Sequence, residues 1–258
     1  MPPATAAGAA RVTDHEVAAQ VAADAAQLLL EVRAEYRLAP PEVLRAEGDR
    51  RAHEWILGAL AAARPGDVVL SEEGDLADLA RLDASRVWIV DPLDGTREFG
   101  EPGRGDWAVH VALWEHGRLT AAAVTLPAEG LAFTTADPPA VPPPNPGRPP
   151  VMVASRTRRS SVVDDLAARL GADVVPMGSA GGKAMAVVMG RADAYAHAGG
   201  LKEWDVAAPA AVAAAAGLHV SHLDGSAIAY NRSPPLVGDL LICRPELAAR
   251  ALWASRRW

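Results

Sequence analysis

Two aspartates three positions apart carry the first sign of chemistry. Asp91 and Asp94 sit in the run Trp88-Ile89-Val90-Asp91-Pro92-Leu93-Asp94-Gly95-Thr96-Arg97-Glu98-Phe99. Carboxylates this close repel each other unless cations lie between them. Hard divalent cations prefer oxygen ligands, and Mg²⁺ takes a few carboxylates together with water and substrate phosphate. Pro92 keeps Asp91 out of the helical region as the chain leaves an apolar strand. Gly95 permits close backbone approach, and Thr96 can open a helix whose free N–H groups bind an anion. On these residues alone, an Asp-Pro-x-Asp-Gly surface turn is the simpler reading.

Three other acidic positions shift the balance. Glu72 and Glu73 follow the apolar run Val68-Val69-Leu70, at the strand end where α/β sheets present ligands. Asp205 lies in Lys202-Glu203-Trp204-Asp205-Val206-Ala207-Ala208, at the mouth of an Ala-rich helix, as a ligand or an ordinary N-cap. Asp49, in Glu47-Gly48-Asp49, is likewise expected to open a helix.

The elements that must position these groups can be read from periodicity and breakers. Helical spacing covers residues 13–37, with Thr13 or Asp14 as N-cap and Pro40-Pro41 as the stop. A second helix is expected over 49–64, then strands at 68–70 and 87–90. Residues 107–114, 119–126 and 131–135 read as an antiparallel meander. Residues 137–150 hold eight prolines in fourteen positions, so they can be neither helix nor central strand and form an extended connection. Beyond it, strands are expected at 151–154, 172–176, 192–197, 218–221 and 238–243. Helices are expected at 160–170, 180–189, 205–216 and 245–256. The expected fold is α+β, with mixed sheets layered between helices in two halves, 12–136 and 151–258, and with residues 1–11 loose.

Composition narrows the functional classes. The 258 residues carry 32 Asp plus Glu against 25 Lys plus Arg, a formal net charge of −7. That balance argues against a nucleic-acid groove. It leaves room for a small phosphate ester, because bound cations reverse local charge. Half the residues are hydrophobic, enough for a packed core. Only Lys183 and Lys202 are lysines. The lone cysteine, Cys243, permits no intramolecular disulfide and reads as a buried strand residue. The start lacks a basic-then-apolar signal, and no stretch suits a membrane span, so a cytoplasmic setting is expected. Residues 178–184 have the wrong glycine spacing for a P-loop, and no His-Glu-x-x-His pair supports a zinc hydrolase.

Taken together, Ser71-Glu72-Glu73, Asp91-Pro92-Leu93-Asp94-Gly95-Thr96 and Trp204-Asp205-Val206-Ala207-Ala208 resemble the motifs of the inositol monophosphatase superfamily. The continuation Arg97-Glu98-Phe99, with residues 102–110, 178–186 and 197–200, resembles its bisphosphate nucleotidase branch as found in actinobacteria. The resemblance implies a layered α/β/α/β/α sandwich and a Mg²⁺-dependent, Li⁺-sensitive phosphomonoesterase. It implies a bisphosphate nucleotide substrate (3'-phosphoadenosine 5'-phosphate and its 5'-phosphosulfate relative), AMP as product, and a homodimer. Glu72, Asp91 and the Leu93 carbonyl would hold one ion. Asp91, Asp94 and Asp205 would hold a second, with a third left open because residues 37–48 lack the Lys that many members carry. Thr96, oriented by Asp49, would position and deprotonate the attacking water, while the N–H groups of Gly95 and Thr96 would hold the phosphate. Ser155, Arg156, Ser179, Lys183, Tyr230 and Asn231 match segments on the nucleotide side. Trp107 is expected in the core rather than on a base. The competing readings are an inositol-1-phosphate or fructose-1,6-bisphosphate phosphatase on the same metal site, and a non-catalytic binding protein.

Overall fold

The structure, a computed structural model, describes residues 12–75 and 79–255; the expectation for residues 1–11 lies outside them. Helix α1 (Asp14–Glu35) starts at a capping box, in which Thr13 Oγ1 accepts from the Glu16 N–H and Glu16 returns its carboxylate to Thr13. Helix α2 (Pro41–Ala63) begins eight residues before its expected start. Pro41 is its first residue, where a missing N–H costs nothing. The Pro40-Pro41 pair therefore ends one helix and opens the next. Asp49 lies inside α2 and is not a cap.

The first sheet runs in the order β1 (Val68–Ser71), β2 (Arg86–Asp94), β3 (Ala108–Glu115), β4 (Arg118–Leu126), β5 (Leu131–Thr134). Its β1–β2 pair is parallel and the rest is the expected antiparallel meander. A short helix, α3 (Thr96–Phe99), leaves the end of β2. In the second sheet β6 (Val151–Ser155) pairs in parallel with both β7 (Asp173–Met177) and β8 (Ala194–Lys202). Strand β10 (Leu236–Cys243) lies antiparallel between β8 and β9 (His219–Ser221). Helices α4 (Ser161–Leu170), α5 (Ala180–Val188), α6 (Glu203–Ala215) and α7 (Pro245–Ser255) complete the chain.

Alternation along β2 shows why the layers stack. Trp88 and Val90 pack with α1 and α2, while Val87 and Ile89 pack with α5 and α6. A strand covered on both faces reads as one apolar run. Helices α5 and α6 are the filling between the sheets, and α4 and α7 cover the outer face of the second sheet with Cys243 beneath them. The result is the five-layer α/β/α/β/α sandwich. None of the described helices is long and apolar enough to cross a membrane.

The proline-rich connection has no regular structure over residues 138–150, yet it is anchored. Buried Asp193 accepts from the Val151 N–H at 2.8 Å, from Arg148 at 2.7 Å and from buried Arg244 at 2.8 Å. Arg244 also donates to the Pro142 carbonyl at 2.7 Å. Removing one partner of a buried ion pair strands the other charge, at a cost of roughly 3–5 kcal/mol. Asp193→Ala should accordingly lower the unfolding free energy by about 3 kcal/mol in urea titration; a loss under about 0.5 kcal/mol would show that the anchor is dispensable.

Candidate active site

The acidic groups meet where one strand ends and two helices begin. In a regular strand, residues three apart point to opposite faces. The β2–β3 register breaks between Asp91, opposite His110, and Asp94, opposite Ala108. This bulge, with Pro92 inside it, turns both aspartates to one side. Gly95 follows in the left-handed region at φ 85°. A side chain there would be strained and would press on the Asp106 carbonyl at 3.1 Å.

From the second half come α5 and α6. Ser179 caps α5 by accepting from the Gly182 N–H at 2.8 Å and donates its hydroxyl proton to Asp94 Oδ2. The Gly181 N–H also donates to Asp94 Oδ2, at 2.7 Å. Asp205 is the third residue of α6, not its cap, and accepts from the Lys202 N–H at 2.7 Å. The positive ends of both helices thus face the acidic cluster. Asp91, Asp94 and Asp205 each offer an oxygen, all within 4.8 Å of one another. Oxygen donors at this spacing suit a hard divalent cation.

The electrostatics of these carboxylates record the crowding. Burial and then repulsion from Glu72, Asp94 and Asp205 raise Asp91 well above the usual carboxylate range. Loss of water in the cleft, then repulsion from Asp205, Asp94, Glu73 and Asp49, pushes Glu72 up to about 7. Asp205 rises to about 6 through burial and the charge of Asp94. Asp94 runs the other way. Burial alone would raise it, but His110, Lys183 and Ser179 outweigh that and hold it below the usual range.

Thr96 sits apart from the trio. Its hydroxyl lies 3.2 Å from Asp49 Oδ1 and 3.0 Å from the Leu93 carbonyl. Both partners are acceptors and the hydroxyl has one proton, so it serves one at a time and keeps lone pairs for water. Burial and the nearby charge of Glu73 push Asp49 up to about 7 despite that hydrogen bond. A carboxylate at that value is matched to proton exchange near neutrality.

These groups open on a cleft of about 370 Å³, within the size range of small-ligand sites. Glu72, Asp91, Leu93, Asp94, Gly95, Thr96, Ser155, Arg156, Ser179, Lys183 and Asp205 all line it. Three of the residues expected on the substrate side are already engaged. Ser155 Oγ accepts from the Arg158 N–H. Arg156 pairs with Glu98 at 2.6 Å and Glu101 at 2.9 Å. Buried Lys183 donates to the carbonyls of Gly178 and Ser179, at 3.1 and 2.5 Å. Desolvation lowers Lys183 to about 8.

Tyr230 and Asn231 are not brought into the cleft. Tyr230 packs against the core, and the Asn231 N–H donates to buried Glu203 while its side chain bonds Arg81. Trp107 is fully buried, edge-on to Phe99, as expected. Arg97, Arg158 and Tyr195 also line the cleft and were not singled out by sequence. For Arg158, the signal was its place two residues beyond the Ser155-Arg156 pair.

A five-layer sandwich with this carboxylate trio beside a Thr–Asp pair defines a known class. The profile of the inositol monophosphatase family matches residues 9–138 and 150–257. The 3'-phosphoadenosine 5'-phosphate phosphatase of Mycobacterium bovis is 51% identical over 239 residues, 90% of this chain and 89% of that protein. The 3'(2'),5'-bisphosphate nucleotidase CysQ of Escherichia coli K12 is 32% identical over 192 residues, 71% of this chain and 78% of that one. The crystal structure of CysQ from Bacteroides thetaiotaomicron matches with TM-score 0.72 at 26% identity, covering 90% of this chain and 97% of that one. The chain belongs to the inositol monophosphatase family, whose members are metal-dependent.

The raised carboxylates fix how stability should respond to metal. A group whose folded pKa is raised contributes stability below its unfolded pKa and loses it as pH rises through the folded value. For Asp49, Glu72 and Asp205 that loss falls between the usual carboxylate range and about 6 to 7. A cation binds the ionised forms and reverses the loss. The rise in Tm on adding Mg²⁺ to chelator-treated protein should therefore be small near pH 5 and grow steeply toward about pH 8. A shift equal at both ends, by differential scanning fluorimetry, would contradict the cluster's role.

Proposed function

We propose that this chain is a Mg²⁺-dependent phosphomonoesterase that removes the 3'-phosphate of 3'-phosphoadenosine 5'-phosphate, leaving AMP, and acts on the matching 5'-phosphosulfate. The relative at 51% identity carries that substrate in its name, and the pairing covers most of both chains. The observation that carries the reading is the two-signed cleft. Carboxylates line it, and Arg97 and Arg158, with no ion pair among the described residues, line the same opening. A substrate with one phosphate at the reacting centre and a second anionic group fits that division. Removing a by-product of sulfate assimilation in the cytoplasm is the setting we assign it.

Glu72, Asp91, the Leu93 carbonyl, Asp94 and Asp205 would hold two Mg²⁺ ions. Bound there, the ions neutralise phosphate charge, lower the pKa of water and stabilise the leaving oxygen. The remaining work belongs to side chains. Thr96 Oγ1 takes a proton from the attacking water and passes its own to Asp49 Oδ1. The water oxygen bonds to phosphorus, the bond from phosphorus to the 3' oxygen breaks, and that oxygen takes a proton from solvent water while Asp49 releases the proton it gained to solvent. The backbone N–H groups of Gly95 and Thr96 face the phosphate at the start of α3. No side chain forms a covalent intermediate.

A phosphate-release panel tests this. With Mg²⁺, kcat/KM for 3'-phosphoadenosine 5'-phosphate should exceed that for inositol-1-phosphate and fructose-1,6-bisphosphate by about tenfold or more, and Asp91→Asn should abolish release. A tenfold preference for inositol-1-phosphate, or full activity in Asp91→Asn, overturns the assignment. Millimolar Li⁺ should inhibit. Arg158→Gln should raise KM for the bisphosphate by about tenfold, the worth of a charge-assisted hydrogen bond, while KM for inositol-1-phosphate stays unchanged. Equal effects on both would remove Arg158 from recognition.

A further inference from the structure

His110 lies behind the acidic cluster, on β3, and is fully buried. Its Nδ1 is 3.0 Å from the Trp204 carbonyl oxygen. A carbonyl only accepts, so Nδ1 carries a proton and donates it. Its Nε2 lies 3.3 Å from Asp94 Oδ2, outside hydrogen-bond alignment but at ion-pair distance. The ring therefore spans two elements that each deliver one member of the trio. On one side is Asp94 at the end of β2; on the other is the first turn of α6, where Trp204 immediately precedes Asp205.

Two further observations show that the space is built for this ring. Helix α5 passes directly over it at Gly181, where a Cβ would clash with His110 Nε2. The same Gly181 donates its N–H to Asp94 Oδ2. That oxygen already receives the Ser179 hydroxyl proton. Asp94 Oδ2 thus accepts two hydrogen bonds, from Ser179 and Gly181, with the His110 ring 3.3 Å behind it. Its other oxygen accepts no hydrogen bond among the described residues, and Asp94 lines the cleft. Groups behind a ligand fix its orientation and its readiness to bind, and losing one typically weakens metal affinity or activity by about 10–100-fold.

We propose that His110 is a positioning residue for the cation site, a tether that sets the spacing of Asp94 and Asp205 by holding the Asp94 carboxylate and the Trp204 carbonyl on opposite edges of one ring. The proposal rests on the reading of Asp91, Asp94 and Asp205 as cation ligands. It adds that cation affinity is decided partly by a histidine that contacts neither substrate nor ion. Among the residues around it, Gly181 makes room and Ser179 shares the load on Asp94 Oδ2. The tether joins the first sheet to a helix of the second half, so it also explains why a cluster drawn from residues over a hundred positions apart keeps one geometry.

The test uses full-length protein and Mg²⁺ or Mn²⁺ alone, by calorimetric titration after chelation. An Asn side chain can reproduce the Nδ1 donor toward Trp204, and a longer Gln side chain can reach toward Asp94. Neither reproduces both. His110→Phe should weaken cation binding by about tenfold or more, with His110→Asn and His110→Gln in between. In all three, activity should recover at saturating Mg²⁺ with KM for substrate unchanged, a split that general loss of structure would not give. If His110→Phe does not fold, the Asn and Gln variants decide. Folded variants that bind cation like the wild type overturn the proposal while leaving the cation site intact. A wild type that binds no divalent cation would instead remove the reading on which it rests.

Discussion

The structure turns on keeping several negative charges together out of water. Asp91, Asp94 and Asp205 present oxygens within 4.8 Å of one another, and Glu72 adds its charge at the edge of the same cleft. Burial and mutual repulsion both oppose ionisation there. The protein offsets part of this itself. The positive ends of α5 and α6 point at the cluster, backbone N–H groups of Gly181 and Lys202 bind Asp94 and Asp205, and Lys183 and His110 lie close by. Their effect is uneven. Asp94 is held ionised while Asp91, Glu72 and Asp205 are pushed toward their protonated forms. The remaining deficit of positive charge is what a divalent cation supplies. The bulge in β2, the left-handed Gly95 and the bare surface at Gly181 all follow from needing these groups at one point.

The same constraint explains what could be read in advance. Asp91, Asp94, Gly95 and Thr96 lie within six positions of one another, yet alone they read as a surface turn, and only Glu72, Asp205 and the family resemblance made them a site. Most strands and helices followed from periodicity and breakers. Asp205 lies more than a hundred residues from Asp94, and only the family resemblance joined them. Asp49 was linked to Thr96 correctly but set at a helix start. The Pro40-Pro41 pair reads as a stop, and nothing local shows that Pro41 also begins α2.

The other substrate-side expectations meet one physical constraint. Whether a polar side chain is available depends on partners that are distant in sequence. Arg156 carries the right charge for a phosphate but spends it on Glu98 and Glu101. Lys183 stands out as one of two lysines, yet it is buried and bonded to two carbonyls of its own helix start. Tyr230 and Asn231 occupy a promising segment, but a fully buried Glu203 binds the backbone there and turns it away from the cleft. Arg158 and His110 were passed over for the opposite reason. One matters because its side chain has no ion pair among the described residues, the other because it lies between two elements.

The overall charge of −7 can now be divided. Nine of the described arginines outside the cleft answer a carboxylate directly. Arg86 pairs with Asp67, Asp14 and Glu115, Arg51 with Glu35 and Glu47, and Arg244 with Asp193. Those charges cancel locally and leave little field for a ligand to sense. The field that a small anion meets is set instead by the acidic trio, any cation held there, and Arg97 and Arg158, which have no ion pair among the described residues. A cation at the trio would turn a negative cluster into one that attracts phosphate, while the arginines are attractive already. The chain can therefore remain acidic as a whole, a poor surface for nucleic acid, and still receive a small bisphosphate at a cleft whose acidic trio is not matched by arginine.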